Sequence, residues 1–155
     1  MLLHNQTQAI QRMNTLAKEG KDFFFIINYR ADSAYIEEFT NIDPRELLFS
    51  FPTLSNIPEV ESYSNEAVEW HTEPLTRDDY EHRINLVKQR EREGDSYLAN
   101  LTCKIPIRTN LSLHDIFMRS KALYRCWMKE KFVCFSPEIF VRINREGLIS
   151  SFPMK

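Results

Sequence analysis

At 155 residues the chain is long enough for one domain with a sizeable core, and its 43% hydrophobic and 27% charged residues suit a soluble globular protein. With 20 Lys/Arg against 22 Asp/Glu the net charge is -2, which excludes the clustered basic excess of a nucleic-acid footprint. No apolar run approaches the ~18 residues of a membrane span, and the N-terminus lacks the basic and apolar regions of a secretory signal.

Gln6 to Glu19 reads as a helix, with Ile10, Met13, Leu16 and Ala17 on one face and Gly20 as its C-terminal cap. Phe23 to Tyr29 is a strongly β-prone run, and Tyr35 to Phe39 returns after the turn at Ala31-Asp32-Ser33, which predicts a hairpin. Asp43-Pro44 starts a short helical turn, with the aspartate as cap and proline in first position. Leu47 to Phe51 reads as a further strand. Thr53 to Glu69, polar and with Pro52 and Pro58 close by, reads as a surface connection.

Thr76 and Asp79 form a capping box that opens a second helix. Its buried stripe is expected at Tyr80, Ile84, Leu86 and Val87, with Gly94 closing it. The charged run Lys88 to Glu93 reads as a solvated helix face. Tyr97 to Ile107 alternates as one long strand. Ser112 and Asp115 cap a third helix, whose stripe is expected to run through Leu113, Ile116, Phe117, Tyr124 and Trp127 as core. Phe132 to Phe135 is a strand, broken by Ser136-Pro137-Glu138. Ile139 to Ile143 and Leu148 to Phe152 then form a hairpin around Asn144 to Gly147. This order predicts an α+β fold: a mixed, largely antiparallel sheet with packed helices. Only three glycines occur, none in G-x-G-x-x-G or a P-loop, so a nucleotide-binding fold is excluded.

The odd set of cysteines, Cys103, Cys126 and Cys134, suits a reducing cytoplasm. No C-x-x-C pair is present, and all three read as core or near-surface thiols. His4, His71, His82 and His114 share no ligand spacing and read as surface residues.

Three segments carry a resemblance. Gly94-Asp95-Ser96-Tyr97-Leu98-Ala99-Asn100-Leu101-Thr102 looks like the G-D-x-Y-Q-V-N-L strand of the chorismate-utilising enzymes. Phe135-Ser136-Pro137-Glu138-Ile139-Phe140 is similar to their S-P-E-x-F. Pro153-Met154-Lys155 looks like the start of their P-[IM]-K-G-T. Their order and spacing together carry the match, most strongly over residues 93–155 and more loosely over 22–92. On this resemblance the chain is the N-terminal part, residues 1–155, of an enzyme of that fold, cut at the P-M-K motif.

Within the family, anthranilate and isochorismate synthases generally have alanine where this chain has Lys155. The lysine resembles aminodeoxychorismate synthase component I. The resemblance then implies that Lys155 is the catalytic nucleophile: it attacks C2 of chorismate, displaces the 4-hydroxyl and holds a covalent adduct. Ammonia from a glutamine amidotransferase subunit adds at C4, giving 4-amino-4-deoxychorismate for p-aminobenzoate and folate. Ser136 and Glu138 are weaker candidates for substrate contact. Leu98 stands where water-using relatives carry a lysine, and leucine cannot act as a base. The resemblance also implies magnesium in the full-length enzyme, with its acidic ligands in the missing half, so a chain ending at Lys155 is expected to be inactive alone and to self-associate through the cut surface. The competing readings are an isochorismate, salicylate or anthranilate synthase, and a non-catalytic domain that binds a partner or regulator.

Overall fold

In the computed structural model, which describes residues 2–59, 66–135 and 139–152, the chain starts with β1 (Leu3–His4), α1 (Gln6–Lys18), β2 (Phe23–Ile27) and β3 (Ala34–Glu38). A 3₁₀ turn at Phe39–Asn41 leads to β4 (Leu47–Phe51) and β5 (Leu54–Ser55). Next come β6 (Trp70–Thr72), α2 (Arg77–Arg92), β7 (Ile107–Thr109) and α3 (Leu113–Arg119). The described chain closes with β8 (Arg125–Met128), β9 (Phe132–Phe135), β10 (Val141–Ile143) and β11 (Ile149–Ser151). The sheets are ordered β1-β3-β2, β5-β4-β8-β9, β6-β7 and β10-β11, and each described strand pair is antiparallel. The α+β class with antiparallel sheets is therefore as the sequence predicts. Among the described residues no helix is long and apolar enough to cross a membrane.

The chain divides into two compact units, Met1–Tyr63 with Leu113–Lys155, and Ser64–Ser112. In the first, Asn5 caps α1: its Oδ1 accepts from the Gln8 N–H, and Gln8 Oε1 accepts from the Asn5 N–H, both at 3.0 Å. Gly20, at φ 65°, ends this helix in a left-handed cap, and Lys21 N donates to Leu16 O. Ala9 and Leu16 of α1 pack on Ala34 and Ile36 of β3. The largest core cluster gathers Tyr35, Ile42, Leu47, Phe49, Cys126 and Met128. Phe24 stacks on Phe49 with centroids 4.7 Å apart, and Phe39 meets Phe49 edge-on at 5.6 Å. Burying one such ring stabilises by about 1.5–3 kcal/mol. A third cluster joins Leu48, Phe117 and Trp127, and the Arg125 guanidinium lies over the Phe117 ring while donating to the Phe117 and Ser120 carbonyls at the end of α3.

One side chain finishes the edge of β4. Beyond the short β5, Asn56 takes the place of a strand: its Oδ1 accepts from Phe49 N and its Nδ2 donates to Leu47 O, both at 2.8 Å.

The Asp43 turn closes as predicted, with Leu47 N donating to Asp43 O and Arg45 N donating to Asp43 Oδ1. Other expectations need correction. The helical stripe through Trp127 stops at Arg119, and Trp127 belongs to β8. Cys126, Trp127 and Met128 are all buried, the two-sided burial of a central strand flanked by β4 and β9. His114 is half-buried rather than a surface residue, its ring 4.9 Å from that of Trp127, edge to face.

In the second unit, Thr76 accepts from the Asp79 N–H and donates its own hydroxyl to Asp79 Oδ2, and Gly94 at φ 86° ends α2 as expected. The predicted long strand over Tyr97 to Ile107 is not formed: the observed strand, Ile107–Thr109, pairs with β6 and shares only Ile107 with the prediction. A strand needs a ladder partner for its backbone, and residues 97–105 have none among the described residues, whereas Pro106 O accepts from Glu73 N. The expected buried stripe of α2 is also absent: none of its residues is buried, and Tyr80 and Leu86 are exposed.

Candidate functional site

Lys155, Ser136 and Glu138, the residues singled out by sequence, lie outside the described residues. The strands that lead to them are described. β9 ends at Phe135, immediately before Ser136, and β11 ends at Ser151, two residues before Pro153. The β10–β11 hairpin pairs Val141 with Ser151, Arg142 with Ser150 and Ile143 with Ile149. At its open end Phe152 N donates to Phe140 O at 3.0 Å, and at its turn Asn144 Oδ1 accepts from Glu146 N and Leu148 N. The chain thus enters this hairpin two residues after Glu138 and leaves it directly before Pro153, at the same end. Phe140 and Phe152, 12 positions apart in sequence, are brought together by register alone.

Partners across an antiparallel pair share a face. Val141, Ile143 and Ile149 lie on one face of the hairpin, and Phe140, Arg142 and Phe152 on the other. Both faces are open: Phe140, Ile143, Leu148 and Ile149 are 63% to 71% exposed. Beside the hairpin a cleft of about 320 Å³ is lined by Phe51, Pro52, Thr53, Leu54, Tyr124, Ile139, Val141 and Arg142. One guanidinium and two hydroxyls over an apolar wall suit a small ring compound bearing a carboxylate. Sequence reading passed over Arg142 and Tyr124; the available signal was a lone cation alternating with Val141 and Ile143 on a β-hairpin.

The segment that resembles the G-D-x-Y strand lies in the other unit. Leu98 is 87% exposed, and its N–H donates to Ser96 Oγ, which in turn donates to Leu98 O. Ala99, Leu101 and Cys103 line a separate cleft of about 310 Å³ with Tyr80, Arg83, Ile84, Val87 and Lys88 of α2, where Arg83 donates to Cys103 Sγ at 3.7 Å. Among the described residues no group of three or more His, Cys, Asp or Glu side chains is placed to hold a metal ion.

The strongest electrostatic perturbations lie away from the hairpin. Burial pushes the Tyr35 phenol up to about 12, helped by the nearby Glu37 and Asp43 charges. The Arg45 guanidinium, hydrogen-bonded to Asp43, holds that carboxyl down at about 2. Burial pushes the Cys126 thiol up to about 12.

Comparison with known proteins agrees with the motifs. An uncharacterised PabA-like protein of Pasteurella multocida is 31% identical over 146 residues, 94% of this chain and 45% of the relative. Another, from Haemophilus influenzae, is 32% identical over 151 residues, 94% of this chain and 44% of the relative. The chain thus spans about half the length of the curated relatives it matches. No solved structure matches it. The chorismate binding enzyme family matches residues 18–155, nearly the whole chain, and the chain belongs to that family.

Proposed function

We propose that the chain is part of an aminodeoxychorismate synthase component I, which converts chorismate and ammonia to 4-amino-4-deoxychorismate. The observation that carries this reading is the sequence order of the Ser136-Pro137-Glu138 and Pro153-Met154-Lys155 motifs on either side of the β10–β11 hairpin. Membership of the chorismate binding enzyme family and the PabA-like names of the relatives support it.

In this proposal the Lys155 amine adds at C2 of chorismate as both ring double bonds shift toward C4 and the 4-hydroxyl leaves with a proton. Ammonia then adds at C4, both double bonds shift back, and the lysine departs. A free lysine titrates near 10.4, so at pH 7 only about one molecule in a few thousand has the neutral amine required. A dry or cation-rich surrounding must lower that value for the step to run. The ammonia source is a glutamine amidotransferase subunit acting in the cytoplasm. Magnesium is part of the proposal for the whole protein.

The test is the full-length protein supplied with chorismate and ammonium, with 4-amino-4-deoxychorismate measured by chromatography. Lys155→Ala is expected to lower amination on the order of 10³-fold or more, as loss of an essential nucleophile does. Unchanged amination in that variant overturns the lysine mechanism, and isochorismate or salicylate as product overturns the substrate assignment. The 155-residue chain alone is expected to give no turnover and, with its hairpin faces exposed, to associate. A clean monomer by light scattering contradicts the second expectation.

A further inference from the structure

Cys126 on β8 and Cys134 on β9 face each other directly across the antiparallel ladder. Lys129 N donates to Glu46 O on the β4 side, and Met128 O accepts from Lys131 N on the β9 side. The alternation along β8 therefore turns the Cys126 peptide groups toward β9, which makes Cys126 and Cys134 a hydrogen-bonded pair. Such pairs hold their Cα atoms about 5.5 Å apart, inside the roughly 4.4–6.8 Å window of a disulfide. Both thiols are free, Cys126 buried and Cys134 exposed. Their sulfurs interact: Cys134 adds to the rise in the Cys126 thiol through its charge and a hydrogen bond. Cys103 lies in the other unit.

We infer that Cys126 and Cys134 form a reversible cross-strand disulfide, an oxidation site on the strand that leads directly into Ser136. With a small disulfide such as oxidised glutathione as oxidant, the exposed Cys134 thiolate attacks one glutathione sulfur and releases one glutathione thiolate. The Cys126 thiol then loses its proton and attacks Cys134 Sγ, releasing the second glutathione. Two protein thiols are oxidised and one glutathione disulfide is reduced to two thiols. Burial of Cys126 makes the second step the slower one.

The experiment incubates the chain with oxidised glutathione and follows intact mass and non-reducing peptide maps. The expected product is lower in mass by two hydrogens, with the Cys126 and Cys134 peptides joined, and dithiothreitol reverses it. Cys126→Ser is expected to stop at a stable glutathione adduct on Cys134. Cys134→Ser, an exposed change that leaves the core intact, is expected to abolish the joined peptide. A wild-type chain that accumulates only the Cys134 adduct, or that joins Cys103 to either partner in preference, overturns the inference.

Discussion

The unit of residues 1–63 and 113–155 contains every buried side chain among those described, while the unit of residues 64–112 contains none. The second unit is also the less apolar of the two, with 16 hydrophobic residues among 49 against 50 among 106. In the first unit each apolar strand has a neighbour, so Leu47, Leu48 and Phe49 are covered from both faces of the sheet. In the second, a 16-residue helix and a three-residue ladder offer Ile84 and Val87 only the irregular segment around Ala99 and Leu101. Helices in proteins depend on tertiary packing of an apolar face, and here that packing is thin. A core here goes with both strand neighbours and apolar content.

The contrast can be broken most directly by truncation. Phe49→Ala is expected to cost about 3–5 kcal/mol, the range for a large buried ring, measured by urea denaturation. Val87→Ala in α2 is expected to cost about 1 kcal/mol or less, since little apolar area is lost there. Equal costs would show that the second unit has a core of its own. Hydrogen exchange gives the same comparison residue by residue: amides of β4 and β8 are expected to be protected to the level of global unfolding, and those of α2 to exchange through local opening.

The next effect is on the alkaline side. Tyr35 has a phenol raised from 10.0 to about 12, so the folded state keeps its proton longer than the unfolded state. Its contribution is fully present below pH 10 and is lost as pH rises toward 12. Tyr35→Phe should flatten that part of the stability profile, and an unchanged alkaline slope would remove the assignment. Helix caps give a smaller effect, about 1 kcal/mol each. Asn5→Ala should appear as a lower urea midpoint for the first unit, whereas Thr76→Ala should appear as lost helicity with the first unit's midpoint unchanged. The smallest is at Asp43, whose carboxyl is held near 2 by Arg45. Its stabilisation is present above about 3.8 and fades as pH falls toward 2, so Asp43→Asn should weaken only the acid-side dependence.

Much of this fold was legible in the chain. The end of α1 followed from Gly20, the β2–β3 hairpin from a β-prone run that returns after a turn, and the β10–β11 hairpin from alternation around turn residues. What failed shared one cause. Tyr97 to Ile105 has the alternation of a strand and lacks a ladder partner among the described residues, and Trp127 has helical spacing from Phe117 but lies between two strands. Periodicity reports which face is apolar and says nothing about who stands next to it. The candidate site divided in the same way: the motifs marked Ser136, Glu138 and Lys155, whereas Arg142, Tyr124 and the Cys126–Cys134 pairing came from register, which no local pattern encodes.

Asn56 has a further consequence. By occupying the Leu47 and Phe49 backbone groups it shuts one side of the β5-β4-β8-β9 sheet against any incoming chain. Over Leu47 to Phe49 the sheet therefore takes no further strand on that side, and a side chain of its own chain does the work of a neighbour.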